Sequence, residues 1–202
     1  MIADESIGGF LDALAKANAT PGGGSATALV AAVAAALVSM VCRLSLDRQE
    51  TAAVRDEMAA ALERAQVLRQ QLIDLMDEDV GAFDAVMRAY ALPKNGEAER
   101  AARSQAIQAA LHAATLAPLA CARAGGEVLE LARFVAVKGH SNAAGEAGVA
   151  ALTAHTALRC AALNVRINAG SIRDAGFVQS TLAELDQIVH RCGEGEGSHG
   201  HS

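Results

Sequence analysis

Asp79 is the residue that most clearly suggests chemistry, because it lies in the middle of an apolar helical stripe. At about 100° per residue, a helix over residues 51–91 places six apolar side chains on the same face: Leu68, Leu72, Leu75, Phe83, Val86 and Tyr90. Burying an unpaired carboxylate is unfavourable and promotes its protonated form. We therefore expect Asp79 to act as a general acid or base. The alternative is that it caps a loop or pairs with an arginine inside the protein.

Asp84 lies at the edge of the same stripe. Arg88 follows it by four residues, the spacing at which opposite charges on a helix meet. A solvated ion pair on the helix surface is therefore the simplest interpretation of Asp84.

A glycine-rich loop at residues 20–25 is the second feature that could do chemistry. It reads Thr20, Pro21, Gly22, Gly23, Gly24 and Ser25, and an apolar run follows it directly. A threonine that can cap, a proline suited to the first turn and three glycines predict a loop ending in a helix N-terminus. The free N–H groups of such a terminus favour an anion or a developing oxyanion. A turn needed only for packing is the alternative, since the loop lacks the ending of a phosphate-binding loop.

The run at residues 26–42 must position this loop. Its side chains are apolar or small on every face, which predicts a helix buried all round. No charged residue occurs from Ala17 to Cys42, and the length would span a bilayer. Because the run is mostly alanine and has no aromatic residues for the membrane interfaces, we interpret it as the central helix of a bundle.

The rest of the chain also predicts helices, with 2% aromatic residues and only 3 prolines. We expect an all-α, up-and-down bundle forming one domain over residues 1–192, with a disordered tail at 193–202. Pro118 should kink the fourth helix and Gly125-Gly126 should soften it. The predicted helices cover residues 2–17, 26–42, 51–91, 97–116 continuing to 138, 143–169 and 173–192.

The helix at 143–169 carries two opposed polar faces. Glu146, Asn164 and Asn168 share one face, which we expect to contact a site, although hydrogen bonds between helices are the favoured interpretation of the two asparagines. His155, Arg159 and Arg166 share the other. That second face is expected to contact a partner or subunit.

Composition excludes several classes of function. The net charge of -6 argues against a nucleic-acid partner. No histidine has a cysteine or carboxylate at metal-ligand spacing, so no metal site is predicted. The four cysteines are widely spaced, and the N-terminus has neither a basic region nor an apolar core of an export signal. We therefore expect reduced thiols, a cytoplasmic location and no membrane association.

Several stretches together resemble the cyclodeaminase/cyclohydrolase family of tetrahydrofolate enzymes. Besides the loop at 20–25, the similarity rests on residues 10–15, 36–42, 79–87, 92–95, 118–121, 142, 147–150, 158–159 and 161–165. It extends to about residue 188 and is greatest for the stand-alone methenyltetrahydrofolate cyclohydrolases. The resemblance implies a homodimeric helical bundle with a folate in a groove lined by the glycine loop.

By the same resemblance, the expected reaction is hydrolysis of 5,10-methenyltetrahydrofolate to 10-formyltetrahydrofolate. A tetrahydrofolate derivative is then the substrate, and no cofactor is permanently bound. Asp79, Lys94 and Glu146 are the expected catalytic residues. The substrate-binding residues are expected to be Pro21, Gly22, Gly23, Gly24, Ser25, Asp84 and Asn142.

Two departures from the family pattern keep alternatives open. Gly145-Glu146 replaces Ser-Asp, and residues 47–51 replace a lysine-rich segment that could meet the glutamate tail of a folate. One alternative is a formiminotetrahydrofolate cyclodeaminase, which releases ammonia and needs the same acid/base groups. The other is a folate-binding helical dimer without catalytic activity.

Overall fold

The computed structural model describes residues 2–193, and these form helices without a β-strand. Short 3-10 turns at Ile2–Asp4, Gln49–Val54 and Ser141–Ala143 connect longer helices. The predicted all-α fold is confirmed; the predicted tail lies outside the described residues except for Gly193, which ends the last helix. The six helices are α1 Ile7–Leu14, α2 Gly23–Leu46, α3 Arg55–Tyr90, α4 Glu97–Lys138, α5 Ala144–Ala169 and α6 Ala175–Gly193.

Helix α2 is the centre of the bundle and packs against α3, α4 and α5. Ala31, Ala34 and Ala35 are fully buried, so the neighbouring backbones approach closely. By length and composition α2 could cross a membrane, but half of its most apolar stretch is packed inside the bundle. The expectation of burial on all sides is wrong for this single chain. Val33 is 47% exposed and Met40 44% exposed, so one apolar face lacks a partner.

The apolar stripe of α3 divides at Asp79. Leu68 and Leu72 on its N-terminal side are fully buried in the core. Phe83 and Tyr90 on the C-terminal side are 37% and 46% exposed. The first half of this apolar stripe therefore packs in the core, whereas the second half is partly exposed.

Helix α4 runs unbroken for 42 residues, from Glu97 to Lys138, with Pro118 inside it. Pro118 has no N–H, and the carbonyl of Ala114 therefore lacks its intrahelical donor. Asn168 of α5 supplies the replacement, because its Nδ2 donates to the Ala114 oxygen at 3.0 Å. The predicted interhelical hydrogen bond is thus confirmed for Asn168.

The second polar face of α5 packs partly against α6 of the same chain, and its assignment to a partner or subunit stays a prediction. Arg166 Nη2 donates to Asp186 Oδ1 at 2.9 Å. His155 and Arg159 border a cavity completed by residues of α6. Leu185 and Ile188 of α6 are buried in the core. Packing against α6 leaves Leu152 and Leu163 of α5 exposed.

We predict that Asn168→Ala lowers the free energy of unfolding by about 1–3 kcal/mol, because the Ala114 carbonyl loses its donor. In a Pro118→Ala background, residue 118 regains an N–H for this carbonyl, so the same substitution should have a smaller effect. A double-mutant cycle by urea denaturation measures this coupling. Equal effects in both backgrounds would contradict the assignment.

Candidate active site

The N-terminus of α2 is capped from another helix and not by its own loop. Gly22 is the N-cap residue and provides no side-chain hydrogen bond, so the predicted capping by Thr20 is wrong. Pro21 precedes the N-cap and therefore lies outside the first turn. The group that occupies this helix terminus is the carboxylate of Asp79 from the same chain.

Asp79 is fixed by two hydrogen bonds from one residue. The backbone N–H of Ser25 donates to Asp79 Oδ2 at 3.0 Å, and the Ser25 hydroxyl lies 3.0 Å from the same oxygen. The hydroxyl also lies 3.2 Å from the carbonyl oxygen of Met76. Ser25 itself is fully buried. A carboxylate at a helix N-terminus is stabilised by the helix dipole, so Asp79 is not the unpartnered acid that the sequence suggested.

Gly24 is needed because the Asp79 carboxylate lies directly against its backbone. A Cβ atom added at Gly24 would be 2.0 Å from Asp79 Oδ1 and 2.4 Å from Cγ. Nothing lies within 4 Å of a Cβ added at Gly23. No described glycine has a positive φ. Glycine is therefore required at position 24 because the Asp79 carboxylate approaches its backbone closely, and not because of its backbone conformation.

A cleft of about 230 Å³ opens beside this contact. Asp79 Oδ1 accepts no hydrogen bond from residues 2–193, and Asp79 lines the cleft. Most of the wall is apolar, with the amides of Asn164 and Asn168 among the few polar groups. The ten lining residues are Gly24, Asp79, Ala82, Phe83, Val86, Leu111, Ala114, Pro118, Asn164 and Asn168.

A smaller cavity of about 10 Å³ adjoins the cleft and shares Gly24, Asp79, Pro118 and Asn164 with it. This is close to the volume that one water molecule needs. Cys121 also lines it, and burial raises the pKa of this thiol to about 12, with a further contribution from the charge of Asp79. Cys121 is therefore a neutral thiol and not a nucleophile at neutral pH.

Glu146 and Asn142 lie at the other end of the bundle. Asn164 is 18 residues after Glu146 on the same helix, or about 27 Å along its axis. The segment before Asn142 is held near the C-terminus of α2, where the N–H of His140 donates to Ser45 Oγ at 2.9 Å. Within one chain, these two predicted residues do not join Asp79.

The segment that replaces the family's lysines lies at this same end. Glu50 contacts the ring of His140 and accepts from the backbone N–H of Ser141 at 3.4 Å. The hydrogen bond from His140 lowers the pKa of Glu50. The substituted segment therefore anchors the turn before α5.

The remaining predicted residues lie outside the cleft wall. Lys94 is exposed in the connection between α3 and α4, and Asp84 is exposed on α3. The structure records no ion pair between Asp84 and Arg88 in the described part of the chain. Pro21, Gly22 and Gly23 border neither cavity. Of the loop, Gly24 lines the cleft and Ser25 holds the carboxylate behind it.

Asn164 lines the cleft, whereas the sequence favoured a structural role for it. The favoured interpretation is an interhelical hydrogen bond, but the Asn164 amide forms no such bond within residues 2–193. Asn164 lines the cleft instead. The helical periodicity did place it on the same face as Asn168. Nothing in the sequence indicated that Leu111 and Pro118 line the cleft, because this depends on how α4 crosses α3.

Residues 2–193 contain no group of three or more histidine, cysteine, aspartate or glutamate side chains that could hold a metal.

The sequence over residues 6–187 matches the formiminotransferase-cyclodeaminase family. It is 47% identical to the methenyltetrahydrofolate cyclohydrolase of Methylorubrum extorquens, over 96% of this chain and 93% of that protein. The chain belongs to this family. The mouse formimidoyltransferase-cyclodeaminase is 33% identical over 94% of the chain, which corresponds to 35% of that longer protein.

A solved structure has the same fold as this chain. The formiminotetrahydrofolate cyclodeaminase of Thermotoga maritima aligns with a TM-score of 0.84 and 29% identity, covering 96% of this chain and 94% of that one.

We predict that Gly24→Ala lowers the free energy of unfolding by about 1–3 kcal/mol, because the new methyl group displaces the Asp79 carboxylate from Ser25. Gly23→Ala is the matched control. It adds the same methyl group where nothing lies within 4 Å and should change stability by less than about 1 kcal/mol. Denaturation by urea measures both variants, and similar values for the two would contradict this account of Gly24.

Proposed function

We propose that the protein is a methenyltetrahydrofolate cyclohydrolase, converting 5,10-methenyltetrahydrofolate to 10-formyltetrahydrofolate. The observation that carries the proposal is the anchored carboxylate of Asp79 at the wall of the cleft. The reaction attributed by name to the relative at 47% identity needs such a group. Water is the only co-reactant, so no permanently bound cofactor is required. The proposal includes a cytoplasmic location, which the four free cysteines support.

The cleft suits a cationic, mostly apolar ring system. Its wall offers Phe83, Val86 and Leu111 for ring packing. The positive charge of the methenyl bridge would lie near the Asp79 carboxylate. The electrostatic attraction between them is strengthened in a partly desolvated site. Asn164 has an amide available to orient the pterin. The cleft therefore combines ring packing with one negative charge.

Asp79 would move protons in both halves of the reaction. It first takes a proton from water as the oxygen attacks the carbon between the two ring nitrogens, giving a neutral carbinolamine. It then returns the proton to N5 as the carbon–N5 bond breaks, while the hydroxyl loses its proton and becomes the formyl oxygen. One proton is released overall. The small cavity beside Asp79 is the position we assign to the attacking water.

Ser25 and Gly24 would act through Asp79. Two hydrogen bonds from Ser25 hold Oδ2, which leaves Oδ1 directed at the reacting atoms. Such anchoring keeps the base within reach of water without reorganisation during the reaction. Ser25 is therefore a positioning residue in this proposal.

Cyclodeamination of 5-formiminotetrahydrofolate is the second candidate reaction. It is favoured by the name of the Thermotoga maritima protein, whose fold is the same. The same carboxylate could transfer protons to the departing ammonia. Purified protein offered each substrate separately, with methenyl absorbance followed in both assays, distinguishes the two reactions. Binding without turnover of either would support a non-catalytic folate-binding protein.

The proposal also includes a homodimer formed through α2 and α5. These neighbouring helices run antiparallel, since Asn164 lies near the start of α2 and His140 near its end. Apolar side chains are exposed on both helices, and on α5 they occupy the side that α6 does not cover. A second copy would bury this surface. The exposed apolar residues are Val33, Met40, Leu44, Val149, Leu152, Leu163 and Ile167.

A dimer could also reunite the predicted catalytic residues. If the two-fold axis crosses α5 near the middle of its apolar stripe, the two copies of α5 run antiparallel. Glu146 of the partner subunit would then approach Asn164 and Asp79 of this one. Glu146 and Asn142 would thus serve the site across the interface.

We predict that Asp79→Asn reduces turnover about 10³-fold, because asparagine cannot accept a proton although it can still receive hydrogen bonds from Ser25. Glu78→Gln removes the neighbouring exposed carboxylate, which lies outside the cleft, and is the control. Initial rates from loss of methenyl absorbance measure both, and circular dichroism checks the fold. A near-normal rate for Asp79→Asn would exclude Asp79 from the chemistry.

We predict that mixing the inactive variants Asp79→Asn and Glu146→Gln, after unfolding and refolding together, restores about a quarter of wild-type activity. Half of the dimers formed at random are mixed, and each mixed dimer has one site with both native residues. The readout is turnover of the mixture compared with each variant refolded alone. Absence of recovery despite mixed dimers would show that Glu146 does not complete the site of its partner.

A further inference from the structure

A second cavity, of about 310 Å³, lies beside the catalytic cleft and has a different character. Leu111 lines both, and the exposed side of α3 leads from one to the other through Phe83, Val86 and Tyr90. The wall of this second cavity contains two arginines and no aspartate or glutamate. We name it the arginine pocket. Its lining residues are Tyr90, Arg103, Ser104, Ile107, Gln108, Leu111, Ser171 and Arg173.

Arg103 is held in place by uncharged groups. Its Nε and Nη2 donate to the carbonyl oxygen of Tyr90 at 3.2 and 3.0 Å. Its guanidinium also lies over the Tyr90 ring, 5.6 Å from the ring centre. Arg103 is half-buried and forms no ion pair with an acid among residues 2–193. Its positive charge is therefore fixed in position but not neutralised by the protein.

Arg173 faces the same cavity from the connection between α5 and α6. Its Nη1 donates to Ser104 Oγ at 2.9 Å, and its backbone N–H donates to Gln108 Oε1 at 2.7 Å. Gln108 also donates to the carbonyl oxygen of Ser171 at 3.2 Å. The described part of the chain provides no carboxylate partner for Arg173. A network of neutral groups thus fixes the second guanidinium beside the first.

This arrangement contrasts with the arginines that cross-link the helices. Arg64, Arg123 and Arg166 each pair with a carboxylate of another helix. Arg69 on α3 is also exposed and forms no ion pair with an acid among residues 2–193, but it lines none of the cavities described. Two guanidiniums that share one concave wall in a chain of net charge -6 are suited to bind carboxylates of a ligand.

We propose that the arginine pocket binds the glutamate tail of the substrate, with Arg103 and Arg173 as the carboxylate-binding residues. The inference rests on the proposed folate substrate. Tyr90 lies 11 residues after Asp79, or about 16 Å along α3. The p-aminobenzoyl-glutamate part of a folate, met by an arginine side chain, can span this separation. Lys94, four residues beyond Tyr90, adds a further cation at the same end for longer tails.

This pocket would take over the role that the absent lysines were expected to have. Residues 47–51 anchor the turn before α5 and carry Glu50, so they offer little attraction to a carboxylate. The arginine pocket lies instead at the end of the cleft formed by α3, α4 and the connection to α6. Substrates with more γ-linked glutamates should therefore bind more tightly, through carboxylates beyond the first.

Calorimetric binding of tetrahydrofolate carrying one or three γ-linked glutamates tests the proposal without requiring turnover. The wild-type chain should bind the triglutamate more tightly. Arg173→Gln and Arg103→Gln should each weaken triglutamate binding about tenfold and reduce its advantage over the monoglutamate. Arg69→Gln removes the same charge away from the cleft and the arginine pocket and should bind both ligands as the wild type does. In turnover, the loss should appear in KM and not in kcat.

The outcomes separate this proposal from the proposed function. Unchanged triglutamate binding in Arg173→Gln and Arg103→Gln, with native circular dichroism, would overturn the arginine pocket even if the wild type is fully active. Equal weakening by Arg69→Gln would also overturn it, since only overall charge would then matter. Tail-dependent binding that the two pocket variants lose, in a wild type without turnover, would support the pocket while the cyclohydrolase proposal fails.

Discussion

The carboxylate of Asp79 lies at the N-terminus of α2, where the backbone and hydroxyl of Ser25 hold one of its oxygens. This contact joins the central helix to α3 and requires glycine at position 24, because any side chain there would occupy the carboxylate's place. It also resolves the difficulty of an acid in an apolar stripe. The helix terminus stabilises the charge, and the second carboxylate oxygen accepts no hydrogen bond from residues 2–193.

The division of α3 at Asp79 links stability to function. Its N-terminal half contributes fully buried leucines to the core, whereas the C-terminal half leaves Phe83 and Tyr90 exposed along a continuous surface. That surface passes from the cleft beside Asp79 to the arginine pocket, so under the proposed function a long substrate would follow one helix from its reacting ring to its carboxylates. The interruption by Pro118 in α4 is compensated by Asn168, which keeps the opposite wall of the cleft helical.

The sequence predicted the helices well because their apolar periodicity and their glycine and proline boundaries are local properties. The resemblance also assigned Asp79 and the glycine loop to one folate site. The sequence could not predict that Asp79 caps α2, since this depends on how two distant helices cross. The same limit explains Asn164, Leu111 and the arginine pocket. Glu146 and Asn142 were placed by resemblance, and within one chain Glu146 lies about 27 Å along α5 from Asn164.

The central claim is that Asp79 exchanges protons with the water and ring nitrogen of a folate held in the cleft. A crystal structure with a stable analogue of the methenyl substrate tests this most directly. The account predicts that the carbon bridging the two nitrogens lies over the cleft, with Asp79 Oδ1 within hydrogen-bonding reach, about 2.6–3.2 Å, of the attacking water. A folate ring bound elsewhere, with Asp79 Oδ1 out of contact with both water and substrate, would contradict it.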